Sequence, residues 1–370
     1  MTDGVNTAIA ALHPYQPGKP IEELARERGI TDIVKLASNE NPRGPGRLVR
    51  QTLQAGVADL SRYPDGNGFR LKAALAEHHR VAPEQITLGN GSNDVLDLAA
   101  RVAISPGTSG VVDEHCFVVY PLAIASANGR VVRVPSTDWG HDLDGLAAAV
   151  DEATRIVYIA NPNNPTGTWV DDSAIETFLA QVPENVWVVV DEAYAEYLAR
   201  YPNAIRLLDS HANLIVTRTF SKIYGLAALR IGYSISSPEF ADLMNRVRQP
   251  FNANSLALLA AEAALKDADY VAESRRLNVD GLDQIERGLH ALGLDWIPSL
   301  GNFITFDAGA RAAAVYDAML DDGVIVRPVA NYGMPNHLRV TSGLPPENAR
   351  FLTALERALE RTAPRPSVAP

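Results

Sequence analysis

Val186–Asp191 reads VWVVVD, five apolar residues ending on a carboxylate. A run that is apolar at every position, rather than at alternate ones, predicts a strand covered on both faces. Other short β-branched runs lie at Gly110–Asp113, Arg130–Val134, Arg155–Ala160 and Asn213–Thr217. Helical patterns separate them at Asp94–Ile104, Leu143–Asp151 and Asp172–Gln181. Strands alternating with helices of about ten residues imply an α/β domain on a mostly parallel sheet. In such sheets ligands gather at the carboxyl ends of the strands. Asp191 and the turn Asn161–Gly167 (NPNNPTG) fall at those ends.

The pattern changes after Asn254. One long Ala/Leu-rich helix is expected from Ser255 to Leu292. Shorter elements follow in GNFITFD (Gly301–Asp307), AAAVYDAMLDDG (Ala312–Gly323) and HLRVTSG (His337–Gly343), then a last helix. These read as a smaller α+β domain. Towards the N-terminus, one short helical segment at Pro20–Gly29 sits among prolines, and Asn41–Gly46 is a Pro/Gly loop. The expected division is an arm, 1–45, joined to the small domain; a large domain, 46–265; and a C-terminal small domain, 266–370. A chain of 370 residues has room for two such cores.

Composition narrows the partners. A formal charge of -11 argues against nucleic acid as the main ligand. No run of about 18 apolar residues predicts a membrane-spanning helix, and the N-terminal stretch lacks the form of a signal peptide. A single cysteine, Cys116, excludes an internal disulfide and fits a reducing compartment, so a cytoplasmic protein is expected. The eight histidines show no metal-ligand spacing, and His78-His79 reads as a solvated helix end. No metal is expected.

The chemistry sits in Thr217–Tyr233, TRTFSKIYGLAALRIGY. Thr219 and Ser221 lead into Lys222, and Arg230 follows eight residues on. A lysine nucleophile acts when deprotonated, which a partly desolvated, cation-lined site favours. Hydroxyls, backbone N–H groups and an arginine suit a phosphate dianion. In the turn before the helix, the prolines and glycine fix the backbone and leave Asn164 free to aim an amide at a ligand. Asp191, opening DEAYAEY, is a carboxylate at a buried strand end and requires a cationic partner.

These three segments, in this order, resemble the fold-type I, aspartate aminotransferase-like, pyridoxal-phosphate enzymes over almost the whole chain. The resemblance implies a large domain with a mostly parallel seven-stranded sheet plus a smaller α+β domain. It implies that Lys222 carries pyridoxal 5'-phosphate covalently and moves the proton of the substrate α-carbon. Asp191 would pair with the ring nitrogen and keep the ring an electron sink. Asn164 and Tyr194 would bond its phenolic oxygen. Thr219, Ser221 and Arg230 would hold the phosphate, with Gly91, Ser92 and Asn93 of the GNGSND turn adding contacts at a helix start. Phe117 matches the ring stacked on the cofactor face. Tyr63 matches a tyrosine that reaches the neighbouring subunit's cofactor, which implies a homodimer with shared sites.

A narrower resemblance is to histidinol-phosphate aminotransferases, through KLASNENPRGPG (Lys35–Gly46), RYPDGNG (Arg62–Gly68), LGNGSND (Leu88–Asp94) and RPVANYGMPNHLRVTSG (Arg327–Gly343). EHCFVVYPLA (Glu114–Ala123) departs from the commoner Pro-Thr-aromatic sequence and resembles one subgroup. By this resemblance Arg339 binds the substrate's distal anion, Arg327 is a second donor to a phosphate ester, and Tyr15 and Asn39 line the substrate side. The implied reaction exchanges an amino group between histidinol phosphate and 2-oxoglutarate, giving imidazole-acetol phosphate and glutamate in histidine biosynthesis. Three other readings use the same scaffold: an aromatic amino-acid aminotransferase, a phosphothreonine decarboxylase, and a binding protein without catalysis.

Overall fold

The computed structural model describes residues 4–12, 14, 17–198 and 203–363. In chain order the strands are β1 (Val34–Lys35), β2 (Ile86–Gly89), β3 (Ser109–Asp113), β4 (Arg130–Val134), β5 (Thr154–Ala160), β6 (Trp187–Asp191) and β7 (Leu214–Thr219). They continue with β8 (Gly232–Ile235), β9 (Trp296–Ile297), β10 (Phe303–Asp307), β11 (Val324–Ile325), β12 (Arg327–Pro328) and β13 (His337–Thr341). Seven of them form one sheet in the order β2-β8-β7-β6-β5-β3-β4. The pairs from β4 through β3, β5 and β6 to β7 are parallel, and β8 runs antiparallel to both β7 and β2.

The unbroken apolar run in β6 has the cause expected of it. Val188 and Val190 pack with Val157, Ile159, Leu214 and Val216 on one face of the sheet. Val189 packs with Ile156, Tyr158 and Ile215 on the other. Helices cover both faces: Asp172–Gln181 contributes Ile175, Phe178 and Leu179 to the first layer. Ser92–Ala103 and Pro238–Val247 contribute Leu96, Phe240 and Met244 to the second. A strand so enclosed has no polar face to show.

A second sheet, β12-β13-β10-β9, is antiparallel and carries its own core of Ile304, Phe306, Leu338, Val340, Phe351 and Leu355. The N-terminal segment joins it. Val34 pairs in parallel with Val324 on β11, and Leu36 enters that core.

Three features differ from the expectations. The long helix breaks in two, Ser255–Leu265 and Ala268–Ala291, because the Asp267 side chain accepts the Tyr270 N–H and caps a new start. β7 runs two residues past Thr217, carrying a charge through the sheet. That charge is Arg218, whose side chain is buried against Glu192 at 2.5 Å and Glu196 at 3.4 Å. Finally, His79 is not a solvated helix end. Its Nε2 lies 2.7 Å from the Tyr233 hydroxyl, and burial pushes its pKa down to about 2, so the ring is neutral.

Arg218 points away from the face used by its neighbours Thr217 and Thr219, as strand alternation requires. Burial raises the carboxyls of Glu192 and Glu196, and the guanidinium opposes that rise. Removing one member of such a group leaves an uncompensated buried charge, at a cost of about 3–5 kcal/mol. Arg218→Met is therefore expected to lower unfolding stability in urea by that amount at neutral pH. A loss below about 1 kcal/mol would contradict the pairing.

Candidate active site

The carboxyl ends of β5, β6 and β7 open into one pocket. From the large sheet it is lined by Asn164 after β5, by Asp191 and Tyr194 at and after β6, and by Thr219, Ser221, Lys222 and Arg230 at and after β7. Ser92, Asn93 and Phe117 join from neighbouring segments. Asn39, Arg327 and Arg339 close it from the side of the small sheet. The pocket thus gathers ten of the residues expected around the cofactor and three of the four expected around the substrate.

Asp191 lies at the buried end. Tyr120 donates its hydroxyl to Oδ2 at 2.8 Å and Thr217 donates to Oδ1 at 2.8 Å. Burial raises the carboxyl, against the two hydroxyls and the charge of Lys222. The Lys222 amine stands 5.4 Å from the Tyr194 ring centroid. Tyr194 accepts a hydrogen bond from Asn39 Nδ2 at 2.9 Å, and burial pushes its phenol up to about 12.

The opposite end is a cradle of donors. Helix Ser92–Ala103 begins after Gly91, whose φ of 83° suits glycine. A Cβ there would stand 2.3 Å from Arg230 Nη2, so only a bare backbone lets the guanidinium reach this helix start. Arg230 itself has a left-handed backbone and donates to Ser221 Oγ at 3.1 Å and to Ala227 O at 3.0 Å. Ser221 N donates to Thr219 Oγ1 at 3.1 Å. A second glycine fixes the turn after the lysine. Gly225, at φ 70°, passes so close to Gly44 that a Cβ would lie 2.5 Å from its carbonyl oxygen.

A cationic pair faces this arrangement from the small sheet. Arg327 on β12 and Arg339 on β13 are direct cross-strand partners, both buried. Like charges placed opposite one another on two strands repel. Arg339 donates to Asn164 Oδ1 and, at 2.9 Å, to Ala37 O, both neutral acceptors. A guanidinium only donates, so it fixes which end of the Asn164 amide is the oxygen. The neighbouring guanidiniums fit an anionic ligand.

Together these residues fit pyridoxal phosphate: an acid at one end, a helix start with hydroxyls and a guanidinium at the other, and an amine between.

Three expected residues stand differently. Tyr63 lies outside this pocket, 82 % exposed, with its ring stacked 4.7 Å from that of Phe251. Asn39 lines the pocket, but its amide is engaged with Tyr194 and with the Thr341 hydroxyl at 3.1 Å. Tyr15 lies outside the described residues. The structure adds residues that the reading missed, chiefly Tyr120, Thr217, Tyr332 and Gly18. The signal for Tyr120 was its spacing three residues after Phe117, and for Thr217 its alternation with Thr219. Among the described residues no group of His, Cys, Asp and Glu could hold a metal, and no helix is long and apolar enough to cross a membrane.

Residues 31–355 match the family Aminotransferase class I and II. The chain is 57 % identical to histidinol-phosphate aminotransferase 2 of Pseudomonas fluorescens, over 95 % of this chain and 96 % of that protein. It is 53 % identical to histidinol-phosphate aminotransferase 1 of Nitrosococcus oceani, with the same coverage of each. Among solved structures, the histidinol-phosphate aminotransferase of Sinorhizobium meliloti in complex with pyridoxal-5'-phosphate superposes with a TM-score of 0.89. That protein is 31 % identical, covering 97 % of this chain and 98 % of its own. An aspartate aminotransferase of Thermus thermophilus shares the fold, with a TM-score of 0.84 at 24 % identity over 96 % of this chain and 99 % of its own. The chain belongs to the class I and II aminotransferases and, within them, to the histidinol-phosphate aminotransferases.

Proposed function

We propose that the protein transfers an amino group between histidinol phosphate and 2-oxoglutarate, giving imidazole-acetol phosphate and glutamate, with pyridoxal phosphate as cofactor. The observation that carries the substrate is the pair Arg327 and Arg339, two buried guanidiniums in direct register. Such a pair favours a dianionic phosphate ester, and a dicarboxylate in the other half-reaction.

When bound, pyridoxal phosphate supplies an electron sink for the carbon that bears the amino group. The residues that hold it are Lys222 through its amine, Asp191 at the ring nitrogen, and Asn164 and Tyr194 at the phenolic oxygen. Gly91, Ser92, Asn93, Thr219, Ser221 and Arg230 hold the phosphate, with Phe117 against the ring. Lys222 Nζ would serve as the base that takes the substrate's α-proton and later returns a proton. Asn39 keeps the Tyr194 hydroxyl in position. Arg339 binds the distal anion with one part of its guanidinium and orients Asn164 with another.

A homodimer belongs to this reading. Val57, Leu60, Tyr63, Phe69 and Phe251 are large exposed apolar residues, and an apolar surface of this kind favours a second copy. Tyr63 then reaches the partner's phosphate cradle. The cytoplasm is the expected setting, in keeping with a lone cysteine that lies buried.

Borohydride reduction of the holoenzyme should leave a pyridoxyl label on the peptide that contains Lys222. Lys222→Ala should lose the label and at least about a thousandfold in turnover, within the range for losing a positioned base. Labelling of another lysine would refute the assignment.

Supplied with 2-oxoglutarate, the holoenzyme should favour histidinol phosphate over phenylalanine by at least about a hundredfold in kcat/KM. That corresponds to about 3 kcal/mol of charge-assisted hydrogen bonding. Arg327→Met should remove most of the preference by raising KM for histidinol phosphate. Equal use of both substrates would point to an aromatic aminotransferase, and carbon dioxide release without a keto acid would point to a decarboxylase.

A further inference from the structure

Tyr120 is fully buried, on helix Val119–Ser126, three residues beyond Phe117. Its ring stacks on Tyr158, with centroids 4.8 Å apart and planes 9° from parallel, and meets the Phe117 edge at 5.8 Å. A phenylalanine would supply all of that packing. What tyrosine adds is a hydroxyl in an apolar layer, which is costly there unless it is bonded. The bond it makes is to Asp191 Oδ2, at 2.8 Å. The stacked partner spends its own hydroxyl elsewhere, on Leu96 O at 2.8 Å.

We propose that Tyr120 is a positioning residue for transamination, whose hydroxyl holds the Asp191 carboxylate ionised and in the orientation that serves the cofactor's ring nitrogen. The proposal rests on the function argued above and adds a residue to it. A phenol that donates to a carboxylate favours the ionised acid, which accepts through either oxygen. Burial and the charge of Asp191 hold the Tyr120 hydroxyl well above its usual pKa, so it stays a donor across the working range of pH. Thr217 takes the other oxygen, and with both held the carboxylate cannot swing about its Cβ–Cγ bond. Burial works in the opposite direction and raises Asp191. Without Tyr120 the carboxyl would be protonated more readily and free to turn. The loss would fall on the ring nitrogen and leave the phosphate cradle intact.

The test compares two cofactors on two variants. Tyr120→Phe keeps the ring and its stacking, and its melting temperature should stay close to wild type. Its dissociation constant for pyridoxal phosphate, from fluorescence titration of the apoenzyme, should rise about tenfold, as expected for one lost hydrogen bond to a charge. For the deaza analogue, which has carbon in place of the ring nitrogen, the constant should change less than about twofold. In the holoenzyme kcat should fall about tenfold while KM for histidinol phosphate stays within about twofold. Tyr158→Phe, which loses a buried hydroxyl from the same stack, should leave both constants unchanged. A rise equal for both cofactors, no rise at all, or an equal loss in Tyr158→Phe would overturn the role of Tyr120. Wild-type protein that fails to bind pyridoxal phosphate would instead sink the underlying function, and the proposal with it.

Discussion

A carboxylate out of water at the end of a fully covered strand is the constraint around which this molecule is arranged. Asp191 ends β6, whose last four residues are buried, with helices covering both faces of the sheet. Left alone, a charge there would be untenable. Two hydroxyls from different elements, Tyr120 and Thr217, make it tenable, each donating to one of its oxygens. The parallel sheet is what brings those groups together. Its strand ends converge on one edge, so the residues after β5, β6 and β7 fall within reach of each other although they lie far apart in sequence.

The opposite surface of β6 and β7 solves a different problem with the same alternation. Thr217 and Thr219 turn towards the pocket, while Arg218 between them turns away and is buried with Glu192 and Glu196. Glu192 also accepts the Ala204 N–H at 2.8 Å. Asp191 and Glu192 are adjacent in sequence and serve opposite faces. One carboxylate lines the pocket, and the other ties together the strand ends beneath it. A buried ion pair contributes little net stability by itself, yet each partner is strongly required once the other is present.

Much of this was legible in the chain, and the parts that were not have physical reasons. β6 was readable because a doubly covered strand must be apolar throughout, and the ends of β5 and β6 agree with the reading at Ala160 and Asp191. β7 looked shorter because Arg218 reads as a surface residue until its two carboxylates are seen. The helix break at Asp267 was hidden because the residues around it are good helix formers and no Pro or Gly marks the cap. Most of the residues that the large-sheet side contributes to the pocket were legible through local motifs. The spacing of Tyr120 after Phe117 hinted at its place, but its partner Asp191, 71 residues away, could not be read from that spacing. Nor was the Arg327–Arg339 register legible, because nothing in either segment states which residue of one strand will oppose which of the other.

The site is also shared between two cores, and this bears on how it works. The end that holds Asp191, Lys222 and the donor cradle belongs to the large sheet and its adjoining segments, whereas Arg327, Arg339 and Asn39 come from the small sheet and the N-terminal segment. Among the hydrogen bonds that cross between them, two join side chains lining the pocket: Arg339 to Asn164, and Asn39 to Tyr194. Asn39 is in turn tied to β13, its N–H donating to Thr341 Oγ1 at 2.9 Å, and Asn302 donates to the Asn39 carbonyl at 3.0 Å. Asn164 and Tyr194 are therefore held by residues from the side of the small sheet. An anion that draws Arg339 towards itself acts on Asn164 through the same guanidinium. Arg339 thus holds Asn164 from the side of the small sheet and Asn39 holds Tyr194, so the two cores are coupled at the pocket itself.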